Sequence, residues 1–319
     1  LWNDTITRSM EGDQELIDFL QKYAGLSLSG DVSQKILAFL YGPGGNNGKS
    51  TVCQALLHVL GDYGTQISVN TLIAGVKRQP GAASPDIAQM AGVRMVVTDE
   101  TEEGTRFNDQ QIKALTGRDQ ISARGLYKDN IAFVPKMKIW IYGNNRPAVR
   151  GNSPAMRNRM RLVPFNYKFE GEGDDPDAQD KIINEHSDAV FTWMYEGYKK
   201  YLSEGMKEPE KVKKATDDYF EEHDKLRVYF RKNYVEDGRE NSSLIFSDIY
   251  DDATDYLGWH KMSKKRFADM LRSELDMKVE NGRGNRLEIF KWRMPTDEDE
   301  RDEKGYYTLI DDDTFIPFS

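Results

Sequence analysis

The sequence predicts an α/β fold in which helices cover both faces of a mostly parallel sheet. Short apolar runs alternate with helical stretches between residues 31 and 205, and this alternation is typical of parallel strands buried between two helical layers. One apolar run ends at a glycine-rich loop that leads directly into a helix. Strand, glycine-rich loop and helix in this order are typical of a phosphate-binding loop.

The composition indicates a folded protein of two domains. The chain has 319 residues, of which 38% are apolar and 30% are charged, and a domain usually takes ~100–200 residues. No apolar run approaches the ~18–20 residues that cross a bilayer, so we expect no membrane partner. The single cysteine, Cys53, excludes intramolecular disulfides and fits a reducing compartment. The four histidines lack the spacing of zinc ligands.

The first 30 residues are predicted to form a small helical segment. Asp13 can cap a helix that carries an apolar stripe, and Gly25 is expected to end it. The chain starts at Leu1, without a methionine or a signal-type apolar segment. We therefore expect it to be part of a longer polypeptide.

The next segment, residues 31–205, is predicted to carry the sheet. Residues 36–41 are typical of a buried strand, and residues 52–60 of a helix that ends at Gly61. A single long helix is predicted over residues 182–202. The other predicted strands are residues 66–69, 93–98, 137–142 and 160–165.

Residues 206–319 are predicted to form a winged-helix-like α+β domain. One long helix follows Pro209, and helices capped by Ser247 and Ser263 precede a hairpin over residues 278–293. Helix, helix and wing in this order are typical of winged-helix domains. The cations expected on the outer face of the second capped helix, which could contact DNA or pack against protein, are Lys264, Lys265 and Arg272.

The charge of the chain is unevenly distributed. The formal net charge is −9, yet residues 113–161 contain 11 Lys or Arg and 2 Asp, a local charge of +9. A concentrated basic stretch in an acidic protein is typical of a surface that faces phosphate. A solvated face is the alternative that charge alone leaves open.

The glycine-rich loop contains the strongest candidate site. Its glycines let backbone N–H groups turn toward phosphate oxygens, Lys49 would reach the β- and γ-phosphates, and the Ser50 hydroxyl would join a Mg²⁺ shell. Five residues separate Gly42 from Gly48, one more than the usual pattern. A glycine-rich turn without a ligand is the alternative. The candidate nucleotide-binding residues are Gly44, Gly45, Asn46, Asn47, Gly48, Lys49, Ser50 and Thr51.

An acidic pair follows the strand predicted over residues 93–98. At the carboxyl end of a buried strand, Asp99 could hold Mg²⁺ and Glu100 could orient the attacking water. A solvated acidic turn is the alternative, since further acidic residues follow at once.

Two more candidate groups follow in the chain. Asn144 stands at the tip of the strand over residues 137–142, where its amide could bind a γ-phosphate or its water. Arg157, Arg159 and Arg161 alternate before the last strand, and an arginine there could stabilise phosphate charge in a neighbouring subunit.

Taken together, the motifs resemble the superfamily 3 helicase domain of phage and plasmid primase-helicases, which is related to poxvirus primase-helicases. The resemblance is dense over residues 10–205 and loose over residues 206–319. The motifs that carry it, in chain order, are residues 48–51, 98–104, 115–119, 126–128, 144–147 and 159–165.

The resemblance implies a sheet like that of AAA+ proteins and self-association into a ring, usually a hexamer, with sites for ATP and Mg²⁺ between subunits. It implies 3′→5′ translocation on single-stranded or forked DNA. It also implies a covalently linked primase or polymerase domain upstream and, for a phage or plasmid protein, the cytoplasm of a bacterial host.

The resemblance also assigns residues. Lys49, Asp99 and Glu100 would be catalytic, Asn144 would be the sensor, and Arg159 would resemble the arginine finger supplied in trans. The tip of a pore hairpin would carry Lys128 as a DNA contact, with Tyr127 either stacking on a base or packing in the hairpin. Arg118 and Arg124 are further candidate DNA contacts in the basic stretch, and Arg118 stands where relatives often have a second glycine.

The sequence therefore favours an ATP-driven replicative DNA helicase module. An origin initiator or packaging ATPase that grips duplex DNA is one alternative, and it predicts a sequence-specific duplex-binding domain upstream. A nucleotide-switched DNA-binding protein is the other, and it predicts that DNA does not accelerate ATP turnover.

Overall fold

The chain divides into two units, Leu1–Tyr219 and Phe220–Ser319. No helix in the described residues is long and apolar enough to cross a lipid bilayer. The computed structural model describes residues 1–42, 44–75, 83–98, 105–147, 149, 153–171, 174–236, 242–275, 277–281, 287–290 and 292–307.

The first unit contains seven described strands and nine described helices, the last of which continues into the second unit. The strands are β1 (Leu37–Tyr41), β2 (Gly64–Ile67), β3 (Met95–Thr98), β4 (Ile121–Arg124), β5 (Asn130–Phe133), β6 (Lys138–Gly143) and β7 (Met160–Pro164). The helices are α1 (Trp2–Ser9), α2 (Gln14–Ser29), α3 (Lys49–Leu60), α4 (Pro85–Ala88), α5 (Asp109–Leu115), α6 (Pro154–Arg157), α7 (Ala178–Glu185), α8 (Ser187–Glu204) and α9 (Glu210–His223).

Five of these strands form one sheet in the order β2-β3-β6-β1-β7. All neighbouring pairs are parallel, with Phe39 of β1 opposite Ile141 of β6 and Leu162 of β7. These three side chains are buried. Because the strands run in the same direction, one edge of the sheet carries their carboxyl ends and the opposite edge their amino ends. The predicted α/β class with a parallel sheet is confirmed.

The start of α2 follows the sequence prediction, and its end does not. The Asp13 carboxylate accepts hydrogen bonds from the backbone N–H groups of Glu15 and Leu16, as expected of a helix cap. The helix passes through Gly25 and ends at Gly30, whose φ is 68°. The prediction that Gly25 ends the helix is wrong.

Gly25 is inside the helix because α2 and α8 approach each other closely. A Cβ on Gly25 would lie 2.2 Å from the backbone nitrogen of Tyr198. On the facing helix, a Cβ on Gly197 would lie 2.0 Å from the backbone oxygen of Gln21. Only hydrogen side chains allow the two backbones to pack at this distance.

Two predicted long helices are each broken. Residues 182–202 belong to α7 and α8, which are separated at His186, where φ is −129° and the backbone leaves the helical region. The helix after Pro209 ends at His223. Asp224 then starts α10 (Lys225–Asn233) and accepts a hydrogen bond from the backbone N–H of Arg227.

The first unit extends to Tyr219, beyond residue 205, where the predicted sheet domain ends. Val212 of α9 belongs to the same buried cluster as Trp2 and Ile6 of α1. The Thr216 hydroxyl accepts a hydrogen bond from the backbone N–H of Leu162 at 3.0 Å, and the Tyr219 hydroxyl donates to the Pro147 carbonyl. The first ten residues of α9 and the N-terminal helices thus share one core with the sheet.

The second unit has the order of a winged-helix domain. After α10, its elements are β8 (Val235–Glu236), β9 (Ser243–Ile245), α11 (Phe246–Tyr256), α12 (Lys264–Glu274), β10 (Val279–Asn281), β11 (Leu287–Phe290) and β12 (Trp292–Arg293). The three-stranded sheet has the order β10-β11-β9, and both of its pairs are antiparallel. Ser263 caps α12 through the backbone N–H of Arg266, as predicted. Ser247 is not a cap, because α11 already begins at Phe246.

The amino edge of the parallel sheet contains a buried lysine. Lys138, the first residue of β6, is 2% exposed and donates a hydrogen bond to the Gln34 carbonyl at 2.6 Å. Burial lowers the pKa of Lys138 to about 8; Asp31 opposes this shift and Arg118 adds to it.

This burial predicts a pH-dependent stability. Between about pH 8 and pH 10, Lys138 keeps a proton in the unfolded chain that it has released in the folded chain, so its contribution to the free energy of unfolding rises with pH. Relative to Lys138→Met, we expect the wild type to gain about 2 kcal/mol over this range. Urea unfolding of both proteins at several pH values measures the difference between their free energies of unfolding. Groups that titrate in both proteins, such as Cys53, cancel in this difference. A difference that does not change with pH would contradict this account.

Candidate nucleotide site and basic hairpin

The loop between β1 and α3 has the geometry of an anion cradle. Gly44, Asn46 and Gly48 have φ angles of 68°, 62° and 83°, and left-handed residues in such a loop turn successive N–H groups toward one point. A Cβ on Gly48 would also lie 2.6 Å from the Ser9 Oγ of α1. Gly48 therefore meets both a backbone and a packing requirement.

Lys49 joins the loop to the tip of the neighbouring strand. It is 6% exposed, and its Nζ donates to Asn47 Oδ1 at 2.8 Å, Asn144 Oδ1 at 3.0 Å and the Gly42 carbonyl at 3.3 Å. β1 and β6 are adjacent, so their carboxyl ends lie side by side. The structure thus brings together Lys49 and Asn144, which are 95 residues apart.

The segment after β7 holds the loop from outside. Asn47 is 2% exposed, and its amide donates to the Tyr167 carbonyl at 2.9 Å. Asn46 exchanges hydrogen bonds with the backbone of Phe169. Arg8 of α1 donates to the Tyr167 hydroxyl at 2.8 Å, and its guanidinium carbon lies 4.8 Å from the centroid of the Phe169 ring.

Tyr167 and Phe169 are site residues that the sequence analysis missed. Each contacts the loop through its backbone carbonyl, and a backbone contact leaves no residue-type signal in the sequence. The available indication was the presence of two aromatic residues at alternate positions after a strand. Alternating residues lie on the same side of an extended backbone, so both side chains face one surface.

The remaining loop residues are accessible. Gly44, Gly45 and Ser50 are exposed, and Thr51 is half-buried. Ser50 lies in the first turn of α3, where a hydroxyl can reach an ion held against the loop. A buried lysine beside a cradle of N–H groups forms a donor set that fits a phosphate group.

The acidic pair, Asp99 and Glu100, lies outside the described residues. Thr98, the residue before the pair, ends β3 opposite Ile141 of β6. No cluster of three potential metal ligands among His, Cys, Asp and Glu occurs in the described ranges. Cys53 is fully buried in α3, and burial raises the pKa of its thiol. That shift opposes the thiolate form that a nucleophile requires.

Arg159 lies at the amino edge of the sheet, away from the loop of its own chain. It directly precedes β7, and its carbonyl accepts a hydrogen bond from the N–H of Leu37, the first residue of β1. At about 3.3 Å per residue, the length of β1 separates the two edges by about 16 Å. This separation is too long for one arginine side chain to bridge.

The three alternating arginines have different partners. Arg157 pairs with Asp217 at 2.6 Å and Arg161 with Glu208 at 2.8 Å. Arg159 Nε donates to the Thr116 hydroxyl at 3.0 Å, and its Nη1 donates to the Ala155 carbonyl at 2.9 Å. Among the described residues, no carboxylate lies within ion-pair distance of Arg159.

β4 and β5 form an antiparallel hairpin between α5 and β6, with Ala123 opposite Ile131. The Lys128 N–H donates to the Gly125 carbonyl in the turn. Lys128 is exposed, and it forms no ion pair with Asp129 in the part of the chain described. The side chain of Tyr127 is also exposed, with a relative accessibility of 104%. The interpretation that Tyr127 packs in the hairpin is therefore wrong.

The other cations predicted to bind DNA are also accessible. Arg118 and Arg124 are exposed at the base and on the first strand of the hairpin. In the second unit, Lys264 and Lys265 are exposed in the first turn of α12. They line a groove of about 530 Å³ together with Ile245 and Leu287.

Comparison with known proteins gives viral relatives. A protein of Frog virus 3 (isolate Goorha) that is named as a helicase is 30% identical to this chain over 254 residues. The aligned residues cover 73% of this chain and 25% of that protein. A protein of Acanthamoeba polyphaga mimivirus, also named as a helicase, is 24% identical to this chain over 270 residues. The aligned residues cover 80% of this chain and 28% of that protein. The chain thus spans between a quarter and a third of the length of these relatives. A family of unknown function (DUF5906) matches residues 40–159.

Solved structures share the fold. The apo C-terminal region of NrS-1 aligns with a TM-score of 0.57 over 91% of this chain and 74% of that one, at 10% identity. An A-form apo structure of the same region aligns with a TM-score of 0.53 and 8% identity, again over 91% and 74%. Relatives and fold are consistent with a domain of the superfamily 3 primase-helicase type, as the sequence motifs indicate.

Proposed function

We propose that this domain is an ATP-driven helicase motor that translocates on single-stranded DNA. The observation that carries the proposal is the contact of Lys49 with Asn144, which joins a phosphate cradle to the tip of the adjacent strand. The exposed basic hairpin on the same unit supports DNA as the second ligand. The helicase names of the viral relatives support the same activity.

Each candidate site residue has a proposed part in ATP hydrolysis. Lys49 and the loop N–H groups bind the phosphates, and Asn144 orients Lys49 and the γ-phosphate or its water. Ser50 and Asp99 hold Mg²⁺, which when bound neutralises charge on the phosphate oxygens. Glu100 orients the attacking water.

Arg159 completes the ATP site of a neighbouring subunit in this proposal. It lies about 16 Å from the edge that carries its own phosphate loop, and it has no carboxylate partner among the described residues. A ring of subunits would place it at the carboxyl edge of the next chain. The ring, its hexameric state and 3′→5′ polarity rest on the resemblance to superfamily 3 helicases.

The central experiment is the unwinding of a forked duplex with ATP and Mg²⁺. We expect the 319-residue chain to unwind it, and Lys49→Ala to lower ATP hydrolysis by about two orders of magnitude or more because its phosphate contact is lost. Lys35→Ala, which removes an exposed lysine before β1, is the matched control. A folded Lys49→Ala protein with wild-type turnover would refute the site, and wild-type turnover unaffected by DNA would favour a nucleotide switch.

Mixing variants tests the role of Arg159 in trans. Arg159→Ala alone should bind ATP but lose hydrolysis. Excess Lys49→Ala subunits, which keep Arg159, should restore part of the activity because their arginine completes the intact loops of the other variant. Steady-state ATPase assays of the mixtures measure this rescue.

Two controls accompany the mixture. The double variant Lys49→Ala with Arg159→Ala should restore nothing, and Arg161→Ala, which breaks the pair with Glu208, should retain hydrolysis. If freely exchanging subunits show no rescue, Arg159 acts within its own chain or in folding.

Lys128→Ala should separate ATP turnover from unwinding. Loss of one phosphate contact lowers single-strand affinity and makes its salt dependence shallower by about 0.7 per contact. Basal hydrolysis should persist, since the hairpin is distant from the phosphate loop. Binding titrations at several salt concentrations, with Lys136→Ala as a control for an exposed lysine, measure the effect. Unchanged unwinding would shift the DNA path to Arg118, Arg124 or the winged-helix unit.

A further inference from the structure

We propose that Tyr127 is a nucleobase-stacking residue, so that the hairpin tip holds single-stranded DNA by a base and a phosphate at once. This inference rests on the proposed function and adds a contact that depends on the bases. Tyr127 would lie against the face of one base, while Lys128 beside it contacts the backbone.

The backbone at Tyr127 is costly for folding. Its φ is 56°, in the left-handed region where a residue with a Cβ is strained relative to glycine. The side chain does not offset this cost by packing, because it is fully exposed and no part of the fold covers the ring. A turn selected for stability alone would carry glycine or asparagine here.

The hairpin also exposes other apolar side chains. Leu126 is 61% exposed, Ile131 38% and Val134 44%. Turn residues are normally polar, and exposed apolar side chains on a hairpin are typical of a surface that meets a ligand. Leu126 precedes Tyr127 in the same turn, so two adjacent residues of the tip are apolar or aromatic and exposed.

The surrounding charge identifies the ligand as nucleic acid. Arg124 and Lys128 flank Tyr127, and neither forms an ion pair with any residue the structure describes. Exposed cations around an exposed aromatic ring match a ligand that offers phosphates and flat π-faces, which is single-stranded nucleic acid. In a duplex the base faces are stacked on each other and closed to the ring, so the contact selects the single strand.

The test is equilibrium binding of a labelled single-stranded oligonucleotide without ATP, measured by fluorescence anisotropy. We expect Tyr127→Ala to weaken binding about five-fold to 100-fold with an unchanged salt slope, because stacking involves no phosphate. Tyr127→Phe should retain most of the affinity. Tyr195→Ala, which removes a tyrosine 48% exposed on α8, is the matched control and should bind like the wild type.

An abasic oligonucleotide of equal length separates base stacking from other roles. The wild type should bind it as weakly as Tyr127→Ala binds normal DNA, and Tyr127→Ala should lose nothing further. Tyr127→Gly should unfold at the same or a higher temperature than the wild type and show the same binding defect, which excludes misfolding as the cause.

Three results would overturn the inference. Tyr127→Ala could bind like the wild type, it could lose as much affinity for abasic as for normal DNA, or its salt slope could fall, which would make the contact electrostatic. A wild type that binds no single strand would refute the proposed function together with this contact.

Discussion

The parallel direction of the five strands is the constraint on which the proposed chemistry depends. It gives the sheet two edges with different residues. The carboxyl edge carries the phosphate loop and Asn144, and the amino edge carries Arg159 and Lys138. The chain returns from the carboxyl edge through α5 and forms the hairpin before β6 begins. The candidate ATP site and the candidate DNA site therefore belong to opposite edges of one sheet.

Strand β6 connects these two edges. Its first residue, Lys138, follows the hairpin, and Asn144 directly after its last residue receives a hydrogen bond from Lys49. At the amino edge, Thr116 ends α5 before the hairpin and accepts a hydrogen bond from Arg159, which links the hairpin segment to this arginine. In the proposed function, DNA on the hairpin and phosphate on the loop would share these elements, as expected of a motor that couples the two. These elements, rather than direct contact between ligands, would carry the coupling.

The strands and the phosphate loop could be predicted because their signals are local. The strand over residues 36–41 is an apolar run that ends at glycines, and β1 lies at Leu37–Tyr41. The interruption of a helix is less visible: His186 has no sequence signal that separates α7 from α8. The prediction for Gly25 is wrong because a glycine can either end a helix or allow two helices to pack closely. Only the position of Gly197 on α8 distinguishes the two roles.

The candidate site also has residues that the sequence predicts and contacts that it does not. Lys49 and Asn144 follow from motifs, whereas the Tyr167 and Phe169 carbonyls that hold the loop could not be predicted, since any residue can supply a carbonyl. The position of Arg159 at the amino edge required the topology of the sheet. The motif predicts an arginine at this position. The strand order explains why Arg159 cannot reach the phosphate loop of its own chain.

The most direct test is a structure of the assembly with a non-hydrolysable ATP analogue and a single-stranded oligonucleotide. The account predicts that the Arg159 guanidinium of one subunit lies within about 3 Å of a γ-phosphate oxygen, with that phosphate held by Lys49 of the adjacent subunit. An Arg159 that stays on Thr116 while every nucleotide is enclosed by a single chain would contradict it.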